Sequence, residues 1–168
     1  MTNKEKIESF AKNGYDDRPE RKAFRKLIYR NEPFKDWIKD YFQLNMEDGP
    51  FRIIEDPLGE YQVDLGMIDS AGKIVCLIEV DVWNNWHDEW PSHYKWCHRL
   101  GRKTKYWINN SYPYINVTFN ENHNDAIVTT REIESQYPIK HKWFKVKKMY
   151  DDVREVPISR AIKFGTWS

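Results

Sequence analysis

Apolar positions follow two periods along this chain, and the change from one to the other divides it. Up to about residue 46 the spacing is helical. Phe24, Leu27 and Ile28 fall on one face of RKAFRKLIYR. Phe34, Trp37, Ile38, Tyr41 and Phe42 follow the i, i+3, i+4, i+7, i+8 stripe of PFKDWIKDYFQL. Asp17 is placed to cap the first of these helices, with Pro19 and Glu20 in its first turn. Asn31 ends it and Pro33 opens the second. Residues 3–13 read as a shorter helix closed by Asn13-Gly14. From residue 51 the pattern shortens to strands. FRIIED is followed by the turn Asp56-Pro57-Leu58-Gly59, then by YQVDLGMI, the turn Ser70-Ala71-Gly72, and KIVCLIEVDV. That last β-branched run has the pattern of a strand covered on both faces.

Asn84-Asn85 breaks this strand, and Pro91 suits the first turn of a helix over 92–100 that stops at Gly101. KYWIN over 105–109 reads as a strand, completing a strand–helix–strand crossover. YINVTF and AIVTT form a hairpin about NENHND, residues 131–136 form a short helix, and WFKVKKM and REVPI read as late strands. No repeat, low-complexity tract or linker interrupts the chain. The expectation is one α/β domain over 1–168: N-terminal helices in 1–46, a core over 51–109, and C-terminal strands with a short helix over 114–168. Its mixed central β-sheet is flanked by α-helices.

Composition narrows the classes. The chain has 168 residues, 40% hydrophobic and 15% aromatic, enough for a packed core. The net charge of +1 leaves no overall basic field, so nucleic acid would have to be held by local patches. The two cysteines, Cys76 and Cys97, give no disulfide framework. MTNKEKIESF lacks the apolar stretch of a signal peptide, and no run approaches the ~20 apolar residues of a membrane span. A reducing cytoplasm is the expected setting.

The acids of the central strands change the picture. Asp64 lies inside YQVDLGMI, and Glu79 and Asp81 stand at the far end of the buried run, on the same side of it. Folding about Gly72 brings Asp64 beside Glu79. Acids so placed call for a partner, either a salt bridge or solvent on one side, or a hard divalent cation on the other. A cation held this way lowers the pKa of bound water and stabilises charge on a phosphodiester.

An Asp in the second strand, a turn, and a hydrophobic strand ending in a Glu-x pair resembles the PD-(D/E)XK nuclease superfamily, over roughly residues 33–109. The resemblance implies a restriction-endonuclease-like fold, Mg²⁺ or Mn²⁺ as cofactor, and hydrolysis of DNA phosphodiester bonds. It makes Asp64 and Glu79 metal ligands. The family's lysine position falls on Asp81, which becomes a third ligand, a residue that positions the attacking water, or the mark of a lost activity. Lys95, on the expected helix, is the candidate for a displaced lysine. Glu20, Glu32 and Asp36 remain open as a further ligand from the first helices, with Glu60 a weaker one. The alternative is a catalytically inactive DNA-binding or assembly protein of the same fold. Either suits a virus or mobile element, acting in the host cytoplasm, and members of the family often act as homodimers.

Candidate phosphate contacts are Arg99, Arg102 and Lys103 after the motif, and Lys145 and Lys147 in KHKWFKVKKM, where aromatics interleave with lysines. The same lysines also suit a solvated edge strand. His93 and Cys97 stand i, i+4 on the expected helix, with His87 and His98 nearby. This pair is short of a complete zinc site.

Overall fold

The computed structural model describes residues 18–42, 52–59 and 62–165. The expected helix over 3–13, the Asp17 cap and Glu60 lie outside them.

Helix α1 (Pro19–Arg30) begins with proline at its first position and turns Ala23, Phe24, Leu27 and Ile28 inward. Asn31 closes it and opens α2 (Glu32–Tyr41): its side chain accepts from Phe34 N at 2.8 Å, and its amide donates to Gly165 O at 3.3 Å. Phe34 and Ile38 are buried, and Trp37 stacks on Tyr41 at 5.1 Å.

The helices lie on a six-stranded mixed sheet. Its strands are β1 (Arg52–Glu55), β2 (Leu65–Ile68), β3 (Ile74–Trp83), β5 (Tyr114–Asn120), β6 (Ala126–Thr130) and β9 (Ile162–Phe164), in that spatial order. Only β3 and β5 pair in parallel, and both are covered on each face, which explains their continuous apolar runs. The turn before β3 places Gly72 at φ 81°, and the Asp69 carboxylate accepts from the backbone of Ala71 and Lys73. Gly66 in β2 is required by a close approach, since a Cβ there would lie 2.8 Å from Pro57. Toward the helices the sheet presents Leu65, Met67, Cys76, Ile78, Val80, Ile115, Val117, Phe119, Ala126 and Val128, which form one core with Phe24, Leu27, Phe34 and Ile38.

A second, three-stranded antiparallel sheet is built from β4 (Trp96–Leu100), β8 (Met149–Pro157) and β7 (Ile139–Phe144), in that order. Three expectations are corrected here. Residues 92–100 are not a helix: their inward positions are Cys97 and Arg99, alternating with exposed Trp96 and His98, which is a strand with an arginine on its buried side. Residues 105–109 are not a strand. Lys105–Ile108 is a single helical turn, α3, entered through the 3₁₀ turn Gly101–Thr104. Its Trp107 is buried beneath the guanidinium groups of Arg131 and Arg154, and that tertiary contact overrides the β-preference of KYWI. The crossover between β3 and β5 therefore consists of β4, the 3₁₀ turn and α3. WFKVKKM is not one strand either: β7 ends at Phe144, and residues 145–148 turn the chain into β8, with Lys148 at φ 53°.

Candidate active site

The face of the six-stranded sheet turned away from α1 and α2 carries two apolar clusters. One joins Val63, Leu77, Trp107 and Tyr114. The other joins Trp86, Cys97, Ile127 and Val156. Between them the strands are polar. Parallel register sets Glu79 beside Asn116 and Asp81 beside Thr118, and β6 continues the row by placing Thr129 beside Asn116.

Asp64 immediately precedes β2. Because Leu65 pairs with Ile78, Asp64 stands opposite Glu79, as the hairpin requires. One of its oxygens accepts from Val80 N at 3.0 Å. The other accepts from Arg18 at 3.1 Å and Arg21 at 3.5 Å. Arg21 is itself buried and also pairs with Glu55 and with Asp56.

Glu79 is 4% exposed. Its Oε2 accepts from no N–H or O–H donor among the described residues, its Oε1 lies 4.0 Å from Lys103 Nζ, and the protonated carboxyl hydrogen-bonds to Asp64. Burial, followed by the adjacent Asp64 carboxyl, pushes the Glu79 carboxyl well above the usual range, and Lys103 offsets this only in part. Two adjacent carboxyls do not both ionise cheaply, so the shift keeps a proton on the pair.

Asp81 accepts from Lys103 Nζ at 2.7 Å and from Asn116 at 3.2 Å. Lys103 reaches it from the 3₁₀ turn, whose Thr104 hydroxyl accepts from Arg154 at 3.2 Å. The nearby Tyr106 phenol is pushed up to about 12, first by its burial and then by the negative field of Glu79 and Asp64. Hydrogen bonds continue inward from Asp81. Thr118 donates to Asn116, Arg99 donates to Thr118 and to Thr129, and Thr129 donates to the buried Glu134. Burial raises Glu134, with Arg99 the first of the charges opposing it.

The acid cluster thus brings together Asp64, Glu79 and Asp81, but Lys95 does not join it. Its side chain is exposed, and among the described residues it makes no ion pair with these acids. The lysine that reaches them is Lys103, which sequence reasoning had set among the phosphate contacts. Arg99, also expected to face phosphate, is 5% exposed and sits inside the polar row. Arg102 and Lys145 are exposed; Lys147 pairs with Asp151 at 3.5 Å. From the first helices, Glu20 lies 3.8 Å from Arg18 and Glu32 3.4 Å from Lys35, Asp36 is exposed, and arginines rather than acids reach Asp64. Asn116 could have been found by counting register from Glu79. Arg18 and Arg21 had no signal beyond lying at the start of the first helix.

The zinc pairing loses its basis with the helix: Cys97 faces an apolar cluster with its thiol pushed up by burial, and His93 packs on Tyr94. Among the described residues, no group of three His, Cys, Asp or Glu side chains could hold a metal ion. The two carboxylates set opposite each other are Asp64 and Glu79, and oxygen donors of this kind are the type that Mg²⁺ or Mn²⁺ takes. Mg²⁺ is commonly held by only one or two protein carboxylates, with water and substrate completing its shell.

Comparisons with protein-family models, curated proteins and solved structures return no match. No helix among the described residues is long and apolar enough to cross a membrane.

Proposed function

We propose that the chain is a divalent-metal-dependent hydrolase of DNA phosphodiester bonds, built on a restriction-endonuclease-like core. The observation that carries this reading is the buried Glu79 carboxyl, set opposite Asp64 and within 4.0 Å of the Lys103 ammonium, with one oxygen that accepts from no N–H or O–H donor among the described residues. Asp64 and Glu79 would hold Mg²⁺ or Mn²⁺. When bound, the ion supplies a nucleophilic water at neutral pH and neutralises charge on the scissile phosphate. Arg18 and Arg21 fix the Asp64 carboxylate, and Val80 N orients its second oxygen. Asp81 stands where the superfamily has lysine, and it holds Lys103 at 2.7 Å, so the ammonium reaches the acids from another element. Lys103 is then the cation beside the reacting phosphate and the donor that orients the attacking water.

A second reading is favoured by the same contacts. Protein groups engage both oxygens of Asp64 and both of Asp81, as expected of a nuclease fold that binds DNA without cutting it. Calorimetric titration with Mn²⁺ separates the two. A saturable site in the wild type that is lost in Glu79→Gln supports the hydrolase. No saturable heat, with DNA binding retained, supports the binding module.

A further inference from the structure

The three-stranded sheet is not covered along its whole length. Strand β4 ends at Leu100, opposite Val153, while β8 runs on through residues 149–152 and remains paired with β7. These four residues overhang by ~13 Å at the strand rise of ~3.3 Å per residue. They project at the end where the Gly101–Thr104 turn begins: a Cβ on Gly101 would lie 3.0 Å from Asp152 O.

Register decides which side chains the overhang presents. Cys97 pairs with Val156 and Arg99 with Arg154, and all four are buried toward the main sheet. Alternation carries this same face outward to the pairs His141–Asp152 and Trp143–Tyr150. Among the described residues, the cover ends there. Trp143 is 53% exposed and Tyr150 57%. Their rings meet at 5.2 Å, and His141 stacks flat on Tyr150 at 4.9 Å. Three exposed rings joined through Tyr150 offer a rigid platform at little conformational cost.

Charge selects the occupant. On the opposite face, Lys140 and Lys142 share the single carboxylate of Glu155, at 3.6 Å and 3.1 Å, which offsets part of their charge. At the tip, Lys145 and Lys148 are exposed and make no ion pair among the described residues, and Arg102 is exposed on the neighbouring turn. Asp152 on this face is held by the His141 ring at 2.8 Å, and rings flanked by the unpaired lysines of the tip match a strand whose bases are unstacked and whose phosphates lie alongside. A duplex would bring its phosphates but keep its base faces hidden.

We infer that the overhanging end of the β7–β8 hairpin binds an unpaired nucleic-acid strand, with Trp143 and Tyr150 stacking on bases and Lys145 and Lys148 contacting phosphates. That this strand belongs to the substrate rests on the proposed hydrolase, whose preferred DNA then carries a single-stranded segment.

The binding is measured without cleavage, in EDTA, by fluorescence anisotropy of labelled oligo(dT) of about 20 nucleotides and of a duplex of equal length. The single strand is expected to bind at least about tenfold more tightly than the duplex. Trp143→Ala should lose roughly tenfold in single-strand affinity, and Trp143→Phe should stay within about twofold of wild type. The double variant Lys145→Ala/Lys148→Ala, which removes only exposed groups, should weaken binding and flatten its salt dependence. Equal affinity for both DNAs overturns the inference. So does unchanged binding by folded Trp143→Ala, or sedimentation showing that this variant dissolves a dimer, which would assign the face to a second copy of the chain. Single-strand binding shared by wild type and Glu79→Gln, with no cleavage by the wild type in Mg²⁺, would defeat the hydrolase and leave the hairpin site standing.

Discussion

Strand β3 has two unlike faces. Cys76, Ile78, Val80 and Val82 point to the helices and join a continuous apolar core. Leu77, Glu79, Asp81 and Trp83 point the other way, where apolar clusters at each end enclose a buried polar row. The first face needs only volume and hydrophobicity, and its contribution is the non-directional burial of side chains such as Phe24 and Phe34. The second holds charged groups out of water, and its stability depends on each finding the right partner. A fold that needed only a core could have covered this face as it covered the other. The polar row is therefore where function is to be sought.

Substitutions can test whether the faces differ in kind. Phe34→Ala on the helix face should have the largest effect, costing about 4 kcal/mol in urea denaturation through lost burial and a residual cavity. Arg99→Met in the polar row should cost roughly 3 kcal/mol, because Glu134 is left buried without the cation that most offsets its burial. The two costs should add, since they arise on opposite sides of the sheet, whereas Arg99→Met combined with Glu134→Gln should recover part of the loss. Additivity in the second pair would show that the row is not a coupled network. A smaller effect is expected from pH. The folded Glu79 carboxyl titrates above its unfolded value of ~4.3, so the native state keeps a proton that the unfolded chain releases. That contribution is present at low pH and is lost as pH rises through and above the ordinary carboxylate range. Without divalent cation, the wild-type urea midpoint should fall between about pH 6 and pH 9, and Glu79→Gln should fall less. Equal slopes would mean that Glu79 is already ionised.

The helix face was legible in the sequence because its rules are periodic. The stripe of α2, the Asn31 boundary and the β-branched run of β3 each carry a local signal, and the Gly72 turn sets Asp64 against Glu79. Apart from that acid pair, which belongs to it, the polar face was not, for a definable reason. In β4 the inward residues are Cys97 and Arg99, and a buried arginine erases the alternation by which a strand is recognised. The helical turn at Lys105–Ile108 is too short to show a period and is held by the packing of Trp107. Lys103 could not be placed until that turn was known, so its pairing with Asp81 is a tertiary fact with no local trace. The hairpin overhang is hidden for a similar reason, because the lysines of residues 145–148 form a turn where a continuous strand was expected.

The most direct test is hydrolysis of a labelled DNA containing both duplex and single-stranded segments, in Mg²⁺, by wild type, Glu79→Gln and Lys103→Met. The expected result is metal-dependent cleavage that falls by ~10²–10³-fold in each variant while DNA binding persists. Cleavage that survives Glu79→Gln, or a wild type that binds DNA but cuts none of it, would contradict the account.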